Sequence, residues 1–282
     1  MFKELDIGHL KSWIGKTEIV EDILTPSLEQ KFRATLDIDV GNPKLGDESS
    51  SGIHWTLAPP ITKFSELGKD SHAARGGFLP PVPLPRRMWA GCETYFLSPF
   101  YVGDNITRKS SVVDVLLKDG KTGKLCFVKI KHEFIVKNKK VLNEFQDIVY
   151  RDMGKNISSY KVPLPFEKGE IEEEIFTHPT LLFRYSAITF NGHRIHYDYK
   201  YCKEEENYKD LVFHGPLQAT LLLRASEKLA NKKAKKFIHK GTAPVFANEN
   251  LKIKATCSNE NEITSFASTD ESGMTMKGSA EF

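Results

Sequence analysis

Phe190 to Tyr199 reads FNGHRIHYDY, and His214 to Ala230 reads HGPLQATLLLRASEKLA. The first stretch gathers Asn191, His193 and His196 within six positions. The second opens on Gly215 and Pro216, and its first turns are so apolar that little of their surface can face water, which predicts a buried helix from Pro216 to about Ala230. Proton-handling side chains placed just ahead of a helix start describe a reaction centre better than a surface loop.

Outward from this point the chain alternates between helical and strand patterns. Thr25 and Pro26 form a cap and first helical residue, and Leu28, Phe32 and Leu36 recur on one face before the Gly-Asn-Pro at 41 to 43. VVDVLLKDG (112–120), KLCFVKIKHEFIV (124–136) and KKVLNEFQDIVY (139–150) carry β-branched and aromatic residues in partial alternation, with turn signals at Asp119-Gly120 and at Asn138 to Lys140. They read as three consecutive antiparallel strands. Residues 152 to 175 read as a linker with an exposed acidic stretch. LLFRYSAI (181–188) reads as a short strand or extended segment, and the tail as strands in AKKFIHKG, NLKIKATCSN, EITSFASTDESG and MTMKGSAEF, with a turn at Asp270 to Gly273. Each half holds one helix and an antiparallel sheet that it cannot cover alone, so the halves are expected to pair side by side in an α+β fold.

The bulk numbers exclude more than they assign. The 40 Lys plus Arg against 37 Asp plus Glu leave a net charge of only +3, mixed along the sequence, which does not call for nucleic acid. No run of 18 apolar residues argues for a membrane span, and no secretory h-region is visible near the first residues. Cys92, Cys126, Cys202 and Cys257 are far apart and form no CxxC pair, so a disulfide framework is not expected and the cytoplasm is the expected compartment.

Six prolines (59, 60, 80, 81, 83, 85) impose an extended path between residues 52 and 91. Trp55, Phe78, Met88 and Trp89 within it want burial. The segment is either one wall of a ligand channel, with Arg75, Arg86 or Arg87 meeting an anionic group, or a packed connection covering a sheet.

Three readings of the histidines compete. A metal site needs further ligands, for which His178, His214 and Asp198 are available, but no recognised ligand spacing is present. A purely structural role at a helix start is the second. General acid–base chemistry fits better, because an imidazole near pH 6.5 exchanges a proton at neutral pH, while the Asn191 amide can orient a water and the first amides of the helix at Gly215 can polarise a carbonyl. Ser186 and Cys202 sit in no nucleophile motif.

RYSAITFNGHRIHYD (184–198) followed by LVFHGPLQATLLL (211–223) strongly resembles the C-terminal half of the MaoC-like acyl-CoA dehydratases, in particular the HTD2-type and mesaconyl-C4-CoA hydratase group, and RGGFLPPVPLPRRMWAG (75–91) with NEFQDIVYR (143–151) resembles that group's N-terminal half. The resemblance implies a double hotdog fold of two modules, each a long helix wrapped by an antiparallel sheet: 1–155 without the catalytic motif, a linker at 156–175, and 176–282 with it. It implies hydration of a 2-enoyl thioester or dehydration of a 3-hydroxyacyl thioester, with the acyl group on coenzyme A or acyl carrier protein, no metal or redox cofactor, and either a monomer or a homodimer. The related motif runs Asp, any, Asn, Pro, apolar, His. Laid on this chain, its Asp falls on Asn191, its Asn on His193, its Pro on Arg194 and its His on His196.

The resemblance therefore implies catalytic roles for His196, Asn191, His193 and the Gly215 amide, with proton transfer shifted from a carboxylate to the imidazoles. His214 is expected at the helix entrance, and Trp89 with Arg75, Arg86, Arg87 and Arg194 beside the substrate. Four arginines favour a short, branched or dicarboxylic acyl group such as mesaconyl-C4-CoA. The alternatives are a 3-hydroxyacyl-thioester dehydratase of fatty acid synthesis and a non-catalytic acyl-CoA-binding module.

Overall fold

Punctuation in the sequence sets the helices. Thr25 Oγ1 accepts the Leu28 amide and Pro26 occupies the first position of helix α2, Pro26–Thr35. Pro216 likewise sits in the first turn of helix α5, Gly215–Ala230, which ends where Asn231 turns left-handed (φ 52°). The computed structural model describes residues 5–120, 123–152, 161–166 and 168–282.

Around these helices runs, among the described residues, one antiparallel sheet of ten strands. In chain order the remaining elements are helix α1, Ile7–Lys11; strands β1, Thr17–Ile23; β2, Arg86–Phe96; β3, Asn105–Gly120; β4, Gly123–Val136; β5, Lys139–Arg151; β6, Ile171–Phe176; helices α3, Pro179–Ile188, and α4, Tyr199–Glu204; and strands β7, Lys236–Gly241; β8, Asn250–Asn259; β9, Glu262–Thr269; β10, Gly273–Glu281. The spatial order is β1-β3-β4-β5-β2-β7-β10-β9-β8-β6. The two halves meet where β2 pairs with β7, Gly91 opposite Lys240 through Tyr95 opposite Lys236. This is the double hotdog architecture: two helix-and-sheet units joined edge to edge, so that neither leaves that edge unpaired.

Leu217, Leu221, Leu222 and Leu223 of α5 are buried in a core shared with Phe32 of α2, Leu142 of β5 and Phe237 of β7. Each such side chain contributes about 1.5–3 kcal/mol relative to exposure. A second, smaller core lies under the proline-rich path, where Val82 and Leu84 pack with Leu10, Val128 and Tyr150. Prolines supply no N–H, and the carbonyls of Val82, Leu84 and Pro85 are gathered by the Arg75 guanidinium at 2.5, 2.5 and 2.6 Å.

The observed elements depart from the expected ones in three places. Residues 181–188, expected as extended, belong to α3: His178 Nδ1 caps the Thr180 amide, Pro179 opens the helix, and Leu182, Tyr185 and Ser186 fall on one buried face. The stretch read as linker at 156–175 ends inside β6, which pairs with β8, while its residues 156–160 and 167 lie outside the described residues. Arg86–Gly91, read as the end of an irregular path, begins β2, the strand that carries the junction between the halves.

The N-terminal half holds a buried carboxylate. Glu144 is 1% exposed and receives Trp55 Nε1 (2.9 Å), Gln146 Nε2 (2.5 Å) and Thr94 Oγ1 (3.3 Å), with His54 Nε2 at 3.1 Å. Burial pushes its pKa up, but the hydrogen bond with His54 leads the contributions that outweigh it and hold the carboxyl well below the usual range.

Candidate active site

Helix α3 ends on a sharp turn that aims the motif. Phe190 is left-handed (φ 49°), and the Asn191 amide folds back to donate to Ser186 O at 2.9 Å. Asn191 Oδ1 then accepts the His193 amide at 3.0 Å, and a single 3-10 turn over Arg194–His196 follows. His193, His196, Asn191 and Gly215 all line one cleft of about 1410 Å³, whose walls also include Trp89, Arg87, Ile130 and Ile148.

Four imidazoles run through this wall in series. His214, fully buried, lies parallel to His196 with ring centroids 3.6 Å apart and an interplanar angle of 18°. His196 meets His193 edge to face at 5.5 Å, and His193 meets His72 at 4.0 Å. The series is tied at both ends: Ser186 Oγ lies 2.8 Å from His214 Nε2, and Asp70 Oδ2 lies 2.9 Å from His72 Nδ1.

The His196 tautomer follows from its partner. Val212 O can only accept, so His196 Nδ1, 2.7 Å away, carries the proton and Nε2 keeps its lone pair for the cleft. Burial lowers the His196 pKa to about 4, and it pushes His193 and His214 well below their ordinary value, with the neighbouring imidazoles adding to the effect. At neutral pH the site holds uncharged bases.

Gly215 stands at the first position of α5, and no side chain caps that helix end. Its amide is a donor without a partner inside the helix, aimed where the dipole favours negative charge. A Cβ at Gly215 would lie 2.8 Å from Trp89 Cε3. Trp89 cannot yield easily, because its ring is held between His239 (4.6 Å) and Trp55 (6.1 Å). Gly215→Ala is therefore expected to lower turnover by about tenfold and to destabilise the fold by about 1–3 kcal/mol through overpacking, read by steady-state rates and urea melts. An unchanged rate and midpoint would sink this account of the glycine.

The arginines expected beside the substrate separate into spent and available groups. Arg194 donates to Asp198 Oδ2 through Nε (3.0 Å) and Nη2 (2.8 Å), stacks on Tyr201 at 4.2 Å, and is not among the cleft-lining residues. Arg86 is buried against Glu206, and Arg75 holds the proline-rich carbonyls. Arg87 lines the cleft and, among the described residues, forms no close ion pair, although its charge acts on Asp70 and Tyr150. His214 is the N-cap residue of α5, at the helix entrance, and lies behind His196 without lining the cleft.

Asp70, His72 and the bond from Ser186 to His214 were not singled out from sequence. Asp70-x-His72 is itself a carboxylate–imidazole spacing, which is the one local signal available. The donor atoms of Asp70, His72 and His193 lie within 4.8 Å of one another, a different set from the His178 and Asp198 considered as metal ligands. Cys202 gives its thiol to Ile195 O, and burial raises its pKa to about 12, which removes it as a nucleophile.

A double hotdog with an imidazole wall and an open helix amide defines a class of thioester hydro-lyases. The family model for hydroxyacyl-thioester dehydratase type 2 matches residues 52–247, and the chain belongs to that family. Its members interconvert enoyl and 3-hydroxyacyl thioesters, and this chain is a hydro-lyase of that kind. It is 37% identical over 236 residues to a mesaconyl-C(4)-CoA hydratase of Chloroflexus aurantiacus, covering 83% of this chain and 84% of that one. It is 22% identical over 278 residues to a mitochondrial hydroxyacyl-thioester dehydratase type 2 of Saccharomyces cerevisiae, covering 91% and 94% of the two chains. Among solved structures, a MaoC-like dehydratase from Phytophthora capsici superposes with a TM-score of 0.72 at 14% identity over 99% of this chain and 98% of that one. A Mycobacterium tuberculosis protein described as a double hotdog superposes with a TM-score of 0.59 at 12% identity, over 95% and 96%.

The expected cytoplasmic location is corrected by these relatives. The dehydratases of S. cerevisiae and Schizosaccharomyces pombe are both mitochondrial by name, which contradicts the cytoplasm as the expected compartment. Among the described residues no helix is long and apolar enough to cross a membrane.

Proposed function

We propose that this chain adds water to, and removes it from, short acyl thioesters with His196 as the base. The fixed tautomer of His196 is the observation that carries the reading: with Nδ1–H committed to Val212 O, Nε2 is the atom left to take a proton from water. The Gly215 amide receives the developing enolate oxygen, and Asn191, its Oδ1 already used by the His193 amide, turns its NH₂ toward the water. The division into units 1–155 and 176–282 is supported by the β2–β7 junction, with β6 extending the second unit back to Ile171.

Arg87 supports a dicarboxylic acyl group on coenzyme A, as in the C. aurantiacus relative. It lines the cleft, and its charge lowers the pKa values of both His72 and His193, which supports a cation on the imidazole side. Arg87→Ala is expected to lower kcat/KM for mesaconyl-C4-CoA by about 10- to 100-fold while changing crotonyl-CoA by less than about threefold, since a charged hydrogen bond to a carboxylate is worth about 1.5–3 kcal/mol. Equal losses on both substrates would reject Arg87 as the receptor for the second carboxylate.

The reach of the cleft to Ile130 and Ile148 favours a second reading, a longer apolar chain of the fatty acid type, with acyl carrier protein or coenzyme A as carrier. Enoyl absorbance followed with mesaconyl-C4-CoA, crotonyl-CoA and a C8 enoyl-CoA separates the two readings. Turnover confined to the C8 substrate would reject the dicarboxylic one.

A further inference from the structure

We propose that Asp70 and His72, carried on a loop of the N-terminal half, give the reaction centre the carboxylate partner that Asn191 cannot provide. The inference rests on His196 being the base. It concerns positioning residues: neither side chain is required to touch the reacting atoms.

The loop is built onto the motif. Gly68 N donates to His72 O (2.7 Å) and Ser71 N to Gly68 O (2.9 Å), closing a turn in which Ser71 is left-handed (φ 64°). That turn brings His72 back over Asp70, whose Oδ1 accepts the His72 amide (3.1 Å) while Oδ2 meets His72 Nδ1 (2.9 Å). Three contacts then dock it on the segment that replaces the usual carboxylate motif: Arg194 N to Asp70 O (3.1 Å), Arg194 Nη1 to Lys69 O (3.3 Å), and Gly192, where a Cβ would stand 3.3 Å from Ser71 O. Arg194, expected near substrate, serves instead as the clamp between this loop and Asp198. The result sets the His72 ring 4.0 Å from His193, one imidazole away from His196.

The chemistry calls for such a partner. As the water oxygen bonds to C3, its proton passes to His196 Nε2 and the C2=C3 electron pair moves to the thioester oxygen. The enolate then collapses, C2 takes the proton back from His196, and the second hydrogen of the water stays on the new hydroxyl. Between those events His196 is a cation in a buried site that also contains the charge of Arg87, and an uncompensated buried cation is costly. Asn191 carries no charge to offset it. Asp198 is taken by Arg194 and the Tyr201 amide. Asp70 is the carboxylate joined to the imidazole series: burial raises its pKa, but the hydrogen bonds of His72 and the nearby Arg87 charge work against this and keep it ionised. Through His72 and His193 it orients the row and lowers the energy of the transient charge.

Asp70→Asn keeps an oxygen for the His72 amide, removes the charge and turns the acceptor facing His72 Nδ1 into an NH₂ donor. We expect kcat for crotonyl-CoA hydration to fall about 10- to 100-fold with KM changed by less than about threefold, and His72→Gln to fall by a similar factor, both with an unchanged circular dichroism spectrum. The deciding variant moves the carboxylate back into the motif: Asn191→Asp added to Asp70→Asn is expected to recover at least a third of the wild-type kcat. Wild-type turnover by Asp70→Asn, or failure of Asn191→Asp to recover any of the loss, would overturn the proposal. So would a rate that vanishes with a chelator and returns with Zn²⁺, because Asp70, His72 and His193 would then be ligands. Full activity in His196→Ala is a separate failure, since it rejects the base on which the proposal rests whatever Asp70→Asn does.

Discussion

Replacing His196 with Ala is expected to lower kcat/KM for crotonyl-CoA and mesaconyl-C4-CoA by roughly 10²–10⁴, the span that a positioned general base supplies, or about 3–5.5 kcal/mol of barrier. Three structural facts set the size of the effect. The bond to Val212 O leaves Nε2 as a ready acceptor, the stack on His214 at 3.6 Å fixes the ring plane, and burial keeps the ring neutral. His196→Gln can keep the bond to Val212 O yet offers no basic nitrogen, so it should be as inactive as the alanine variant while melting closer to wild type. The pH profile follows from the sign of the shift. Because burial lowers the His196 pKa to about 4, kcat/KM should stay level through neutrality and fall only as acid protonates Nε2 near that value, not near pH 6.5. Activity within a factor of about two of wild type in His196→Ala would remove His196 from the chemistry.

The parts of the fold that sequence discloses are those whose signals are local. The starts of α2 and α5 are written in Thr25-Pro26 and Gly215-Pro216, and the β3–β4–β5 meander in its turns, where Lys137 and Asn138 both take left-handed angles. Strand β1 escapes pattern reading because its alternation is inverted. Ile19 and Ile23 are 62% and 50% exposed, while Glu18 and Asp22 alternate with them and bond inward, Glu18 to Arg108 and Asp22 Oδ2 to the Ala58 amide. A charged residue at an inward position of an edge strand protects that edge from pairing with another chain. Helix α3 escapes for another reason: a continuous apolar run such as LLFRYSAI has no period to tell helix from strand, and its cap is a histidine rather than Ser, Thr, Asp or Asn.

The candidate site divides in the same way. Asn191, His193 and His196 are neighbours in sequence and their grouping needs no fold. Asp70 and His72 lie more than 100 residues before them, and the β2–β7 junction, the Arg194 clamp and the Lys69–Glu205 ion pair bring that loop to the motif. The arginines mislead because composition cannot tell a guanidinium aimed at a ligand from one that binds carbonyls, as Arg75 does, or a buried glutamate, as Arg86 does.

The histidines that serve the site also govern its tolerance of acid, and stability is expected to drop by several kcal/mol between pH 7.5 and pH 5. Burial lowers His72, His132 and His196 to about 4 and His239 to about 3, and pushes His193 and His214 further down. In the unfolded chain each titrates near 6.5, so between 6.5 and about 4 the unfolded state binds more protons than the folded one. Stability is therefore complete above about 6.5 and declines as pH falls toward 4, by about 1–2 kcal/mol at pH 5 for each of His72, His132, His196 and His239. Glu144 and Asp70 act lower down: their folded pKa values are depressed, so what they contribute is present above the usual carboxylate range and is lost only at more acid pH. The histidine contribution thus comes first, and the four rings lowered to about 3 to 4 are already large against a typical stability of about 5–15 kcal/mol. Urea midpoints at pH 7.5, 6 and 5 read it directly, and a midpoint that does not move would show that these rings are not held neutral by burial. His239 isolates one member, since both of its ring nitrogens are buried without a partner between Trp55 and Trp89. His239→Phe should cost little at pH 7.5, because no hydrogen bond is lost, and should remove about one proton from the uptake on unfolding at pH 5.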